Sequence, residues 1–379
     1  MKSKREIDPG MLEARLESLP GLDLVRRAVE GHPAYLVGGA VRDLLLGEAS
    51  PDLDIAVEDE IGAVVEALGG EARKHERFET ASVVIGETEV DIARTRAETY
   101  PAPGELPEVR PAPLAEDLGR RDFTINAMAV PLDAPGELID PHGGLDDLRG
   151  GVLRVLHELS FLDDPTRTLR AARYAARLDL ELDPGTERLL RAADLTTVSE
   201  DRITAELAQI AGEERPGEAL GLIAEWDLLD LGKGPRLAAA LERLFSERDE
   251  WAEFADRQVA ILLAVAPGDH PRELRKRAGK LASVAPDSPA QRWHLADGHA
   301  PGVLALARAA GASWLDDYVT RLRHVELEIW GYDLLEAGVP EGPGIGRGLD
   351  AALTARLNGE ISTHEEELRV ALEAAGEGA

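Results

Sequence analysis

Gly38-Gly39-Ala40-Val41-Arg42-Asp43-Leu44-Leu45-Leu46-Gly47, followed a few residues on by Asp52-Leu53-Asp54-Ile55-Ala56-Val57, is the stretch from which the rest of the chain can be read. Just before it, Ala34-Tyr35-Leu36-Val37 is a short apolar run that ends at the glycine pair, the pattern of a buried strand meeting a turn. Ala40 to Leu46 reads as a helix that Gly47 stops, and Leu53 to Val57 alternates as a strand. Glycines between a strand and a helix let backbone N–H groups close on phosphate oxygens, and the helix N-terminus adds its positive end. Alone, such a pair is a tight turn. Asp52 and Asp54, at i and i+2 of a strand, project to one face and bring two hard oxygen donors together. With phosphates and water they suit Mg²⁺. An isolated Asp-x-Asp in so acidic a chain would be an acidic turn; Asp91, in the strand-like run Val90-Asp91-Ile92-Ala93, supplies a third carboxylate. In-line phosphoryl transfer with two metal ions calls for such a group of anionic ligands.

Outward from this centre, residues 11–30 read as an amphipathic helical lead, and Ile61 to Leu68 as a helix. Ala81–Ile85 and Glu89–Ala93 read as two strands joined across Gly86. The first 150 residues are therefore an α/β unit. Between Thr99 and Pro113 stand prolines at 101, 103, 107, 111 and 113, which predict a mobile surface loop. From about Leu159 the chain turns to Ala/Leu/Arg/Glu-rich helical periodicity with Gly/Pro breaks, an all-helical half whose end beyond Ala375 is expected to fray. The boundaries expected are a helical lead over 1–30, a head over 31–150, a helical neck over 151–215, and a body and tail over 216–379.

Composition narrows the chemistry. A chain of 379 residues and 40.8 kDa exceeds one ordinary core, which predicts several modules. It has no long apolar run and no apolar stretch at its start, the pattern of a cytoplasmic enzyme. The absence of cysteine excludes thiolate zinc sites and leaves carboxylates as metal ligands. A formal charge of −30 argues against a nucleic-acid partner only weakly, because charge acts over a Debye length of about 8 Å and an acidic exterior can coexist with a basic groove. Six of the 42 basic residues are Lys; the Arg-dominated remainder includes the group Arg272, Arg275, Lys276, Arg277 and Lys280, either a solvated helix face or a contact for an RNA backbone. The five tryptophans are spread singly, the pattern of core packing rather than base stacking.

The motif run from Gly38 to Gly47, with Asp52-Leu53-Asp54, resembles the signature of the class II tRNA nucleotidyltransferase and bacterial poly(A) polymerase family, within the DNA polymerase β superfamily. Arg120-Arg121-Asp122-Phe123-Thr124-Ile125-Asn126-Ala127 is similar to that family's second motif, which contacts the ribose. Leu162-Asp163-Asp164-Pro165-Thr166-Arg167, continued by Leu169-Arg170-Ala171-Ala172-Arg173-Tyr174, resembles its nucleotide-selecting motif, with Asp163 where the family usually has Glu. Ser199-Glu200-Asp201-Arg202 with Glu206-Leu207 resembles its neck motif, with Asp201 in place of Glu, and reads as supporting structure. The motifs span about residues 34–210.

The resemblance implies an α+β chain: a polymerase-β-like nucleotidyltransferase head with a mixed sheet, then an all-α neck, body and tail that measure a tRNA. It implies two Mg²⁺ ions on Asp52 and Asp54 supported by Asp91, a triphosphate held by Gly38, Gly39 and Arg42, and a sugar ordered by Arg121 and Asp122. Asn126, Arg170 and Arg173 join the nucleotide site. No histidine pattern of an appended HD phosphohydrolase domain is found.

Asp164 and Arg167, at i and i+3, would share a helix face and address one planar base together. Carboxylate only accepts and guanidinium only donates, which fits the donor–acceptor edge of cytosine and adenine and leaves groups unpaired against guanine and uracil, at about 1–3 kcal/mol each. Outside this company the same residues are a surface ion pair, with Asp163 and Arg167 at i,i+4. The activity implied is template-independent addition of CCA to the tRNA 3′ end from CTP and ATP. Addition of A alone, of CC alone, or of a poly(A) tail shares the same head motifs. The proline-rich stretch at 99–113, with Glu98-Thr99-Tyr100 at its start and Pro103-Gly104 within it, resembles the flexible loop that family members need for the final A, which disfavours CC alone. The acidic balance disfavours a poly(A) polymerase; A alone stays open. A non-catalytic RNA-binding protein of this fold is the reading from another class.

Overall fold

The computed structural model describes residues 7–48, 52–75, 79–86 and 88–376, in two compact units: residues 7–206 with 222–230, and residues 207–221 with 231–376. In the first, α1 (Leu12–Glu17) and α2 (Leu22–Ala28) precede β1 (Ala34–Val37), α3 (Gly39–Leu46), β2 (Asp52–Val57), α4 (Gly62–Leu68), β3 (Glu71–His75), β4 (Thr80–Ile85) and β5 (Thr88–Arg94). Then come β6 (Arg96–Thr99), β7 (Glu108–Pro111), α5 (Leu114–Gly119), β8 (Ala129–Pro131), α6 (Gly144–Gly150), β9 (Val152–Leu153), α7 (Ser160–Asp163), α8 (Arg167–Leu178), β10 (Glu181–Leu182) and α9 (Pro184–Leu190). α10 (Glu200–Gly212) and α11 (Pro216–Glu225) run across the division between the units.

The main sheet has the order β3-β4-β5-β2-β1-β8, with β2 and β5 parallel and every other pairing antiparallel. Alternation sorts its side chains. Ala34, Leu36, Leu53, Ile55, Val57, Val83, Val90 and Ile92 enter the main core with α1–α4. Val37, Ala56 and Ala129 point the other way, where α5 covers them with Leu114 and Leu118. Asp54 shares that second face, beyond the part α5 covers.

Three readings change. The helical lead is two helices, because Pro20 and Gly21 (φ +80°) interrupt it. The Glu71–His75 strand has no apolar alternation to announce it and forms the sheet edge, where charged residues are common. The proline-rich stretch is not all loop: Arg96–Thr99 pairs with Glu108–Pro111 as an antiparallel hairpin, its prolines falling in the connection and at the strand end.

The second unit holds α12 (Gly234–Glu247), α13 (Asp249–Phe254), α14 (Arg257–Val265), α15 (Asp269–Ala282), α16 (Pro289–Ala296), α17 (Pro301–Ala309), α18 (Leu315–Thr320), α19 (Gly331–Glu336), α20 (Pro343–Leu357) and α21 (His364–Gly376). The final three residues, where fraying is expected, lie outside the described ones. Trp251 is wholly buried, its indole N–H donating to Asp316 at 2.9 Å. Trp330 does not pack in a core; it is 75% exposed beside Tyr332.

Candidate active site

The strand-to-helix turn opens onto a cleft of about 370 Å³. Gly38 sits at φ +69°, a backbone that calls for glycine, and a Cβ there would lie 2.8 Å from Arg121 Nη1 and 3.8 Å from Asp54 Oδ2. Beyond it lies the carboxylate wall. Asp54 stands in register with Asp91 across the parallel β2–β5 pair, so the two share a face. Asp91 accepts from the Ser82 hydroxyl and lines a hollow that also contains Asp54 and Arg121. Asp52 opens β2 opposite Glu89; its side chain lies outside the described residues.

A second wall of the cleft carries Asp122, Asn126, Asp164, Arg167 and Arg170. Asp122 takes Arg170 Nε and Nη2 on Oδ2 at 2.8 and 2.6 Å, and the Phe123 N–H and Asn126 Nδ2 on Oδ1 at 2.8 and 3.0 Å. Burial pushes its carboxyl up, but the Arg170 guanidinium and the bond from Asn126 outweigh this and hold it well below the usual carboxylate range. Asn126 is fixed from both sides, since its oxygen accepts from Arg42 Nη1 at 2.6 Å.

Asp164 and Arg167 do not share a helix face. Asp164 is extended (φ −134°, ψ 93°) between α7 and α8 because it precedes Pro165, whose ring disfavours a helical residue before it. The two side chains still line one cleft. Nor does Arg167 serve an Asp163 ion pair: it is 4% exposed, donating to Ser160 Oγ at 2.7 Å and the Arg120 carbonyl at 2.8 Å.

Arg42 does not line the cleft. It is 2% exposed, donates to Asp43 Oδ1 at 2.8 Å as well as to Asn126, and lies 5.2 Å from the Tyr174 ring centroid. A direct grip on the triphosphate gives way to support of Asn126. Arg173 lies 4.9 Å from the Tyr174 ring and is likewise outside the lining.

Four lining residues carry no assigned role in the sequence reading: Arg120 and Tyr174, which stand inside the quoted motifs, and Glu98 and Tyr100, which flank the start of the proline-rich stretch. Arg120 donates to Glu98 Oε1 and Asp117 Oδ1, both at 2.8 Å, and Tyr100 donates to Glu98 Oε2 at 3.0 Å. Burial, with Glu98 beside it, pushes the Tyr100 hydroxyl up to about 12, so it stays protonated. Glu98-Thr99-Tyr100 signals this wiring only as part of the loop sequence.

A glycine turn at a helix start, with paired strand carboxylates below it and base-sized polar groups on a second wall, defines a nucleotidyltransferase head. Residues 34–154 match the model of the poly A polymerase head domain family. The chain is 37% identical to the CC-adding tRNA nucleotidyltransferase of Deinococcus radiodurans, across 93% of this chain and 92% of that protein. It is 34% identical to the A-adding tRNA nucleotidyltransferase of Geobacter sulfurreducens, across 90% of this chain but only 45% of that longer protein. A solved CCA-adding enzyme, in an apo form, superposes with a TM-score of 0.79 at 31% identity, covering 98% of this chain and all of that one. The chain belongs to the tRNA nucleotidyltransferase family.

That family implies use of a divalent metal ion. Among the described residues no three candidate ligand side chains gather at one point. The described part of the site does supply two adjacent carboxylates on one sheet face, Asp54 and Asp91, and such hard oxygen donors fit a hard divalent cation.

The basic group of α15 divides. Arg272 pairs with Asp269 at 2.7 Å, and Lys276 and Arg277 lie 3.8 and 3.9 Å from Glu273, all three more than half exposed; Lys280 is exposed too. Arg275 instead donates to the Leu263 and Ala266 carbonyls at 2.9 and 2.8 Å, closing the end of α14. No helix among the described residues is long and apolar enough to cross a membrane.

Proposed function

We propose that this chain adds C, C and A to the 3′ end of tRNA, using CTP and ATP, releasing pyrophosphate and needing no template. The observation that carries this is one cleft holding Gly38 and Gly39, the Asp54 carboxylate, and the Asp164–Arg167 pair. Asp52 and Asp54, supported by Asp91, would hold two Mg²⁺ ions, which when bound lower the pKa of the RNA 3′-hydroxyl and neutralise charge on the reacting phosphate. Gly38 and Gly39 leave room at the start of α3 for phosphate oxygens. Arg121, tied to Asp117 at 2.9 Å, and Asp122, tied to Arg170, order the sugar. Asp164 accepts from the exocyclic amino group of cytosine or adenine and Arg167 donates to the ring nitrogen beside it. The exposed Arg272, Lys276, Arg277 and Lys280 are the proposed contacts for the tRNA backbone, with Arg275 behind them. The functional divisions proposed are the lead (1–30), head (31–150), neck (151–215) and tRNA-holding body and tail (216–379) of a cytoplasmic enzyme.

The relatives differ in what they add, so the number of nucleotides is the part to test. Glu98 and Tyr100, at the base of the hairpin, are bonded into the cleft, which favours an enzyme that keeps the hairpin in use for the final A. Incubation with tRNA lacking its last three nucleotides, giving each labelled nucleoside triphosphate singly and together, should yield two additions with CTP and three with CTP plus ATP. Arrest at two with both present would make it a CC-adding enzyme; addition only to tRNA already ending in CC would make it A-adding.

A further inference from the structure

At the tip of the β6–β7 hairpin, Gly104 is held through both its N–H and its carbonyl. Gly104 donates its N–H to the Asp163 carbonyl at 3.3 Å, and its own carbonyl accepts from Arg202 Nη1 at 2.6 Å. It lies at φ +74°, and a Cβ there would stand 2.6 Å from Thr197 Oγ1 and 2.9 Å from the Thr197 carbonyl oxygen. Only glycine lets the tip seat against that turn. The other arm of the same guanidinium, Arg202 Nη2, donates to Asp164 Oδ1 at 2.8 Å. That oxygen also accepts from the Thr166 N–H and hydroxyl at 3.1 and 2.6 Å. Arg202 stands in the first turn of α10, with 26% of its side chain exposed. The planar fork of a guanidinium can hold two acceptors at a set separation, which a single ammonium cannot.

We infer that Arg202 is a positioning residue for base choice, yoking the hairpin tip to Asp164 so that the seated tip fixes the carboxylate that reads the base. This rests on the reading of Asp164 given above. Among the described residues, the side-chain bonds of Arg202 go to Gly104 and Asp164, on the base-reading side of the cleft, so it governs which nucleotide is taken rather than the making of the bond. The departure from Glu to Asp at 201, one residue before, leaves this fork intact.

The test uses the full chain with Arg202→Ala, Arg202→Lys, Gly104→Ala and the Arg202→Ala/Gly104→Ala double variant. Single-turnover incorporation of each of the four nucleoside triphosphates is followed on tRNA lacking three nucleotides and on tRNA lacking one. Arg202→Ala should lower the kcat/KM preference for CTP or ATP over UTP and GTP by about 10-fold or more, with Arg202→Lys restoring only part. Gly104→Ala should act in the same direction, and the double variant should be no worse than the stronger single one, because both cut the same link. Unchanged selection in Arg202→Ala, or effects that multiply in the double variant, would overturn the inference. If Arg202→Ala also loses tRNA affinity, and so its fold, the selection ratio of Arg202→Lys decides. Calorimetric binding of the four triphosphates without tRNA separates the two ways of failing. Wild type binding all four alike contradicts the base-reading role of Asp164 itself. Selective wild type with an equally selective Arg202 variant contradicts only the yoke.

Discussion

Asp54 is placed by a sheet and Arg167 by hydrogen bonds to groups from separate elements, and the two walls of the cleft differ accordingly. On the first wall the register of β2 against β5 sets Asp54 beside Asp91, and both strands are anchored by Leu53, Ile55, Val90 and Ile92 in the core below. On the second, Asp164 hangs from a helix break and Arg167 is aimed by Ser160 and the Arg120 carbonyl. A wall made of register tolerates local substitution without moving. A wall made of side-chain bonds moves when any partner is lost. The first therefore suits chemistry common to every nucleotide, and the second suits a choice among them.

Breaking the first wall should have the largest effect. Asp54→Ala is expected to slow single-turnover incorporation of CTP by about 1,000-fold or more, the scale of lost charge stabilisation in phosphoryl transfer. Filter binding should show tRNA affinity unchanged. Breaking the second wall costs less rate and more discrimination. Arg167→Ala leaves Ser160 and the Arg120 carbonyl without their donor, and should lower CTP incorporation by about 10- to 100-fold while raising the relative use of UTP.

A pH series sharpens the comparison at Asp122. Its carboxyl is held well below the usual range, so its contribution to stability is full above the unfolded value near about 3.9 and is lost as pH falls beneath it. Thermal melts should show Asp122→Asn less stable than wild type at neutral pH, by about 1–3 kcal/mol. The two curves should start to approach one another as pH falls below about 4 and meet only well beneath it, where the folded carboxyl takes its proton. The smallest effect belongs to the second unit: Lys276→Ala should weaken tRNA binding a few-fold and lower the slope of log affinity against log salt by about 1, with no change in nucleotide preference.

The same contrast explains what the sequence made legible. The β1–α3–β2 run and the pairing of Asp54 with Asp91 follow from alternation and glycine punctuation, which are local. The Asp164–Arg167 pair was legible as a pair but not as a geometry, since Pro165 breaks the helix that their spacing suggests. Arg42 shows the same limit. Its place in the motif points to phosphate, whereas its burial under Asn126 and Tyr174 depends on residues far along the chain. Strand β3 and the hairpin around the proline-rich stretch were hidden because edge and exposed strands carry no apolar signal. Arg202 stands in the neck motif, but its link to Gly104 and Asp164, neither of which adjoins it in sequence, is visible only in the structure.

The division of labour between the walls is tested most directly by measuring incorporation of all four triphosphates with Asp54→Asn and Arg167→Ala side by side. Asp54→Asn should slow all four by the same factor and leave their ratios at the wild-type values, while Arg167→Ala shifts the ratios. Altered ratios in Asp54→Asn, or unaltered ratios in Arg167→Ala, would contradict the account.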